Sequence, residues 1–192
     1  DVYKRQHEFY LKRVTDNKII QPGTKFFTDK LPHNLANLGI ISLVFPKASI
    51  IHITRHPMDS CLSAFMANFA HGHKYLSDIK NTVTHYALLM QAAEQYKSAL
   101  DMHYLQIRYE DLVTDVEVKV NEVLDVVGLP WEEACLKFNE SKRVVKTASH
   151  AQVTQKIYTS SRYRYKNYYK QLEPYAEILS EAMNKFGYTF EP

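Results

Sequence analysis

The run SIIHITRHPMDSCLSAFMANF, Ser49 to Phe69, constrains the fold more than any other stretch of the chain. Its first part, Ser49 to Arg55, is apolar and β-branched, the composition of a strand buried on both faces of a parallel sheet. It passes without a spacer into Arg-His-Pro. Pro57 suits the first turn of a helix, and Cys61, Leu62, Phe65 and Phe69 follow at helical spacing. A strand that runs straight into a helix is half of a βαβ unit. In open α/β proteins ligands bind outside the carboxyl ends of the strands, so Arg55 sits where a binding cation is expected.

The rest of the chain repeats the alternation. Residues 5–16 read as a helix with Phe9, Tyr10 and Val14 on one side, and residues 24–30 (TKFFTDK) as a short strand ending in Lys30. A helix opened by Pro32 carries Leu35, Leu38 and Ile41, and Pro46 ends it. Residues 76–100 carry a long helical pattern. Residues 103–113 (HYLQIRYEDLV) read as a second buried strand. Residues 116–130 read as a helix closed by Gly128, with Pro130 beyond it, and WEEACLKFNE as a short helix. Residues 141–169 read as a long ordered loop, and a last helix stops at Gly187. Strands alternating with helices predict a parallel sheet flanked by helices. No repeat or linker divides the 192 residues, so one domain over 1–192 is expected.

Composition narrows the partners. No apolar run approaches the roughly 18 residues of a membrane span, so no membrane partner is expected. A net charge of +3 permits an anionic ligand, while nucleic acid would call for a denser basic stripe. Cys61 and Cys135 fit no metal or redox spacing and predict free thiols in a reducing, cytoplasmic compartment. His71 and His73 flank Gly72 with no recognisable third ligand, so no metal is expected.

Arg55, the helix start at Pro57 and Ser63 on that helix, with Ser60 between, form the spacing R-x-P-x-D-x-x-x-S. A guanidinium, free helix N–H groups and a hydroxyl together suit a phosphate. The same spacing also lets Arg55 pair with Asp59 while Ser63 merely packs. Lys30, Ser149 and Tyr109 have plain readings too: a solvated lysine, a loop serine and a half-buried strand tyrosine. The stretch KIYTSSRYRYKNYYKQ interleaves Lys156, Arg162, Arg164, Lys166 and Lys170 with tyrosines. It reads as a solvated basic face, as a lid over a charged nucleotide, or as a stacking surface for single-stranded nucleic acid.

The spacing after the apolar strand resembles the 3′-phosphate segment of sulfotransferases that use 3′-phosphoadenosine 5′-phosphosulfate (PAPS). TDKLPHNLANLGIISLVFPKASIIHITRHP, LQIRYEDLVTD, VNEVLDVVGLPWEEACLKF and TASHAQVTQKIYTSSRYRYKNY follow in family order over about residues 24–175. They are similar to tyrosylprotein sulfotransferases and to bacterial sulfotransferases with tetratricopeptide repeats. The resemblance implies a P-loop NTPase-like fold and transfer of a sulfuryl group from PAPS to a hydroxyl acceptor, protein tyrosine among the candidates, without a metal. It implies that Arg55 and Ser63 bind the donor's 3′-phosphate and that Tyr109 lies near the adenine. Lys30 and Ser149 would stabilise the transfer. Lys156 stands where the family more often has Pro, and it would take over the charge of an Arg that is Thr154 here.

The family's glycine-containing phosphosulfate loop, of the type PRSGTT, and its catalytic base have no counterpart here, and no Gly precedes Gly23. The expectation is therefore the C-terminal part of a sulfotransferase domain, with the N-terminal strand and phosphosulfate loop missing. Such a part would be inactive alone and prone to self-associate through its unpaired strand edge, which leaves room for a homo-oligomer. Two other functions fit the same pattern: a phosphotransferase on this scaffold, which would need a Mg²⁺-binding carboxylate, and a basic nucleic-acid or partner-binding module.

Overall fold

In the computed structural model, residues 1–67, 74–137 and 157–192 are described. Strands β1 (Ser49–Thr54) and β2 (His103–Arg108) pair in parallel, and helices flank this small sheet. Between them the chain runs through helices α3 (Pro57–Met66) and α4 (Ile79–Ala99), the kind of long crossover that parallel strands require. The described residues form two compact units. One comprises Asp1–Ile50 and Leu88–His103, the other Ile51–Ala87 and Tyr104–Pro192.

In the first unit, α1 (Val2–Asp16) is capped by Asp1, whose Oδ1 accepts the Tyr3 N–H at 3.0 Å. Its packed side carries His7, Tyr10 and Val14, a spacing of three and four residues. His7 and Tyr10 lie against Phe45, at centroid distances of 4.9 and 5.0 Å. His7 Nδ1 lies 2.9 Å from the Val44 carbonyl, at the end of α2 (Leu38–Val44). Phe9, expected on the same side, is 54% exposed with the Arg13 guanidinium over its ring. It sits about 100° around the helix from Tyr10. Gly39 in α2 lets Tyr96 come close, because a Cβ there would stand 2.8 Å from the Tyr96 ring.

The expected strand over residues 24–30 is irregular backbone. It lacks a ladder partner among the described residues; its Thr24 N–H turns back to the Gln21 carbonyl at 3.0 Å, and side chains tie it to α1. Phe27 stacks at 6.3 Å on Tyr10, and Tyr10 donates its hydroxyl to Asp29 at 2.5 Å. Burial and the Asp29 carboxylate push the Tyr10 pKa up to about 12.

In the second unit, β1 is buried on one face rather than two. His52 and Thr54 are buried, but Ile53 between them is 53% exposed, the alternation of a strand covered on a single side. The strand expected over residues 103–113 is shorter, for β2 ends at Arg108 and Tyr109–Thr114 forms α5. Glu110 and Asp111 fall in the first turn of α5, where acidic side chains oppose the positive helix end. Asp115 caps α6 (Val116–Val127), accepting the Val118 N–H at 3.2 Å. As expected, α6 closes on Gly128, in the left-handed region at φ 70°.

The described part of the expected loop is largely ordered into helical turns, with a 3₁₀ turn at Arg164–Tyr168 and α7 at Tyr169–Leu172. The last helix, α8 (Ala176–Lys185), ends in a turn through Gly187 at φ 69°. There the Tyr188 N–H reaches the Met183 carbonyl at 2.8 Å, a Schellman closure. The turn sends Tyr188 back into the buried interior of the same unit, against His56 and Glu110.

Candidate functional site

The end of β1 and the start of α3 carry the site, all within the second unit. Arg55 follows β1 directly. Its Nη2 donates to Asp59 Oδ2 at 3.1 Å and to the Ser161 carbonyl. Its guanidinium lies 5.4 Å from the Tyr109 ring centroid, a cation–π contact. The Arg55 side chain is 20% exposed and that of Asp59 is 0% exposed. Arg55 Nε is buried and has no hydrogen-bond partner among the described residues. An unsatisfied donor on a partly open guanidinium suits an incoming anionic oxygen.

Asp59 is in the first turn of α3. Its two oxygens divide their work: Oδ2 accepts from Arg55, and Oδ1 accepts the Tyr165 N–H at 2.7 Å. The pairing of Arg55 with Asp59, one of the two readings of the motif, is therefore present. It leaves other guanidinium N–H groups to spare, since arginine has five. Ser63 is exposed, one helical turn beyond Asp59 on the same face of α3, while Arg55 precedes the N-cap of that helix.

The start of α3 offers fewer amides than its sequence suggests. Pro57 has no N–H, and the Met58 N–H is taken at 3.2 Å by Nδ1 of His56, the N-cap residue. His56 is wholly buried. With Nδ1 accepting, Nε2 must carry the ring proton that it donates to the Thr189 carbonyl at 3.0 Å. The ring is therefore neutral. Burial lowers its pKa, opposed mainly by the Thr189 hydrogen bond.

Tyr109 opens α5, immediately after β2. Burial raises its hydroxyl pKa, with Arg55 pulling the other way. The structure thus brings Arg55 and Tyr109 together and sets Ser63 on α3, the helix that starts just after Arg55. Lys30 is exposed and belongs to the first unit. Ser149 and Lys156, together with His71 and His73, lie outside the described residues. Among the described residues no group of three His, Cys, Asp or Glu side chains is placed to hold a metal ion. Ser161 was not picked out from the sequence, because it reaches Arg55 across 106 positions and no motif marks it.

Comparison with known proteins places these observations. The model of the Sulfotransferase family matches residues 4–133, a span that includes Lys30, Arg55, Ser63 and Tyr109. An uncharacterized protein of Aquifex aeolicus (strain VF5) is 33% identical over 191 residues, covering 95% of this chain and 24% of that protein. The chain thus spans about a quarter of the length of that relative.

Proposed function

Because the chain belongs to the sulfotransferase family, we propose that its Arg55 site holds the 3′-phosphate of PAPS and that the protein moves a sulfuryl group from PAPS to a hydroxyl acceptor. The observation that carries this is Arg55 itself, a partly open guanidinium at a strand end with a buried, unsatisfied Nε donor and an aromatic face beside it. Arg55 would grip two phosphate oxygens, Ser63 would add a hydroxyl from α3, and Tyr109 would offer a ring to the adenine.

PAPS supplies the activated sulfuryl group. In the transfer the bond from sulfur to the phosphate oxygen breaks, and a bond from sulfur to the acceptor oxygen forms. The acceptor hydroxyl gives up its proton to a general base, a role for which residues 1–192 offer no recognisable candidate. Negative charge grows on the leaving oxygen, where Lys30, helped by Ser149, would stabilise it. Lys156 would add charge over the nucleotide. The acceptor follows the likeness to tyrosylprotein sulfotransferases, with peptide tyrosine as the first candidate. On this reading residues 1–192 belong to one P-loop-like transferase domain and supply its 3′-phosphate site, while the phosphosulfate loop and the catalytic base have no recognisable counterpart within them. The free cysteines Cys61 and Cys135 support a reducing, cytoplasmic setting. Among the described residues no helix is long and apolar enough to cross a membrane.

Titration calorimetry with adenosine 3′,5′-bisphosphate and with AMP tests the site. Charge-assisted hydrogen bonds contribute roughly 1.5–3 kcal/mol each, so the bisphosphate should bind at least about tenfold more tightly. Arg55→Ala should abolish that preference and leave AMP binding nearly unchanged. Equal affinities in the parent, or a preference that survives the substitution, would remove Arg55 from the site.

A further inference from the structure

The turn that carries Arg55 is held from beneath by one buried side chain. Glu110, 3% exposed, lies in the first turn of α5. Its Oε1 accepts the backbone N–H of His56 at 3.0 Å, and its Oε2 accepts the Tyr188 hydroxyl at 2.5 Å. Tyr188 is buried after the Gly187 turn, and the Arg108 guanidinium lies 4.3 Å from its ring centroid. Burial and the bond to Glu110 both raise the Tyr188 pKa, which keeps its hydroxyl a donor. One residue further on, the Thr189 carbonyl accepts from His56 Nε2 at 3.0 Å. The peptide joining Arg55 to His56 is thus fixed through its N–H by Glu110, and the ring of His56 is fixed by the residue next to Glu110's other partner.

We propose that Glu110 is the positioning residue of the phosphate-binding turn: it sets the Arg55–His56 peptide, and with it the direction of the Arg55 guanidinium, by tying that peptide to Tyr188. This rests on the reading of Arg55 as the 3′-phosphate ligand. Glu110 touches neither nucleotide nor acceptor. Its effect should therefore appear as a loss of discrimination for the 3′-phosphate, not as a loss of nucleotide binding in general.

Calorimetric titration of the full chain with adenosine 3′,5′-bisphosphate and AMP reads that discrimination as a ratio of affinities. Glu110→Ala should cut the ratio from at least about tenfold to about twofold or less, with AMP affinity changed by less than about twofold. Glu110→Gln should restore it to within about twofold of the parent. The amide oxygen still accepts the His56 N–H, and the amide N–H can donate to the Tyr188 oxygen, which accepts as well as donates. If Glu110→Ala does not fold, Tyr188→Phe decides; it removes only the hydroxyl and should lower the ratio about threefold. A folded Glu110→Ala or a Tyr188→Phe protein that keeps the parent ratio overturns the proposal. So does a Glu110→Gln protein no better than Glu110→Ala, or an equal loss of affinity for both nucleotides. Arg55→Ala separates the two levels: if it leaves the ratio intact, or if the parent shows no preference, the phosphate-site reading itself fails. If Arg55→Ala abolishes the ratio while the Glu110 and Tyr188 variants keep it, only the positioning role falls.

Discussion

Asp59 gives a quantitative test of how the strand-end turn is held. Its side chain is 0% exposed and takes one bond from Arg55 and one from the Tyr165 N–H. Asp59→Ala removes both acceptors. A buried backbone N–H left without a partner costs roughly 1–3 kcal/mol. Breaking a fully buried ion pair costs roughly 3–5 kcal/mol, but Arg55 is 20% exposed and water can solvate part of its charge, so the lower end applies. Together these predict a loss of about 4–6 kcal/mol. Asp59→Asn keeps an oxygen for the Tyr165 N–H and loses the charge opposite Arg55. It should cost about 1.5–2 kcal/mol, the low range for a hydrogen bond to a charged group. Urea unfolding of the two variants and the parent measures the difference, and melting should fall by about 2–4 °C per kcal/mol for a chain of this size. Two results would refute the reasoning. If Asn costs as much as Ala, the backbone bond contributes nothing. If both cost under about 1 kcal/mol, the buried pair is not a structural element.

Gly39→Ala should destabilise by about 1 kcal/mol, since crowding against Tyr96 outweighs the helix gain of an alanine; combined with Tyr96→Ala, the same change should become stabilising, and denaturant titration of the four proteins decides. His56 sets a pH dependence: its folded pKa lies below the ordinary 6.5, so below that pH the unfolded chain takes up a proton that the native ring refuses. Stability should fall as pH drops from about 6.5, with a slope of at most about 1.4 kcal/mol per pH unit from this one group. His56→Gln should flatten that part of the profile, and an unchanged slope would assign the effect to other groups.

Much of this architecture was legible because its signals are local. A β-branched apolar run marked β1, Pro57 marked the start of α3, and Gly128 and Gly187 marked helix ends at positive φ. The spacing of Arg55, Asp59 and Ser63 marked the candidate site. Errors came where tertiary partners decide. Residues 24–30 have the composition of a strand, but pairing needs a neighbour, and there side chains hold them instead. The strand expected over residues 103–113 concealed the helix start at Tyr109, which two acidic residues favour. Nothing in the sequence tied Glu110 to Tyr188 or Asp59 to Tyr165, pairs 78 and 106 positions apart. Only the folded chain shows what the two oxygens of Glu110 hold.

The Gly187 turn also bears on when the binding turn can form during synthesis. His56 depends on Thr189, 133 positions downstream, and Glu110 on Tyr188. At about 5–20 residues per second of translation, His56 waits roughly 7–27 s for the carbonyl that completes its bonds. Through that interval β1, α3 and α5 can be made and collapse, yet the peptide after Arg55 lacks its final anchor. Contacts this distant in sequence are the slow ones in folding. If Arg55 holds a 3′-phosphate as proposed, a nascent chain should gain that preference late and in one step, when residues 188 and 189 arrive.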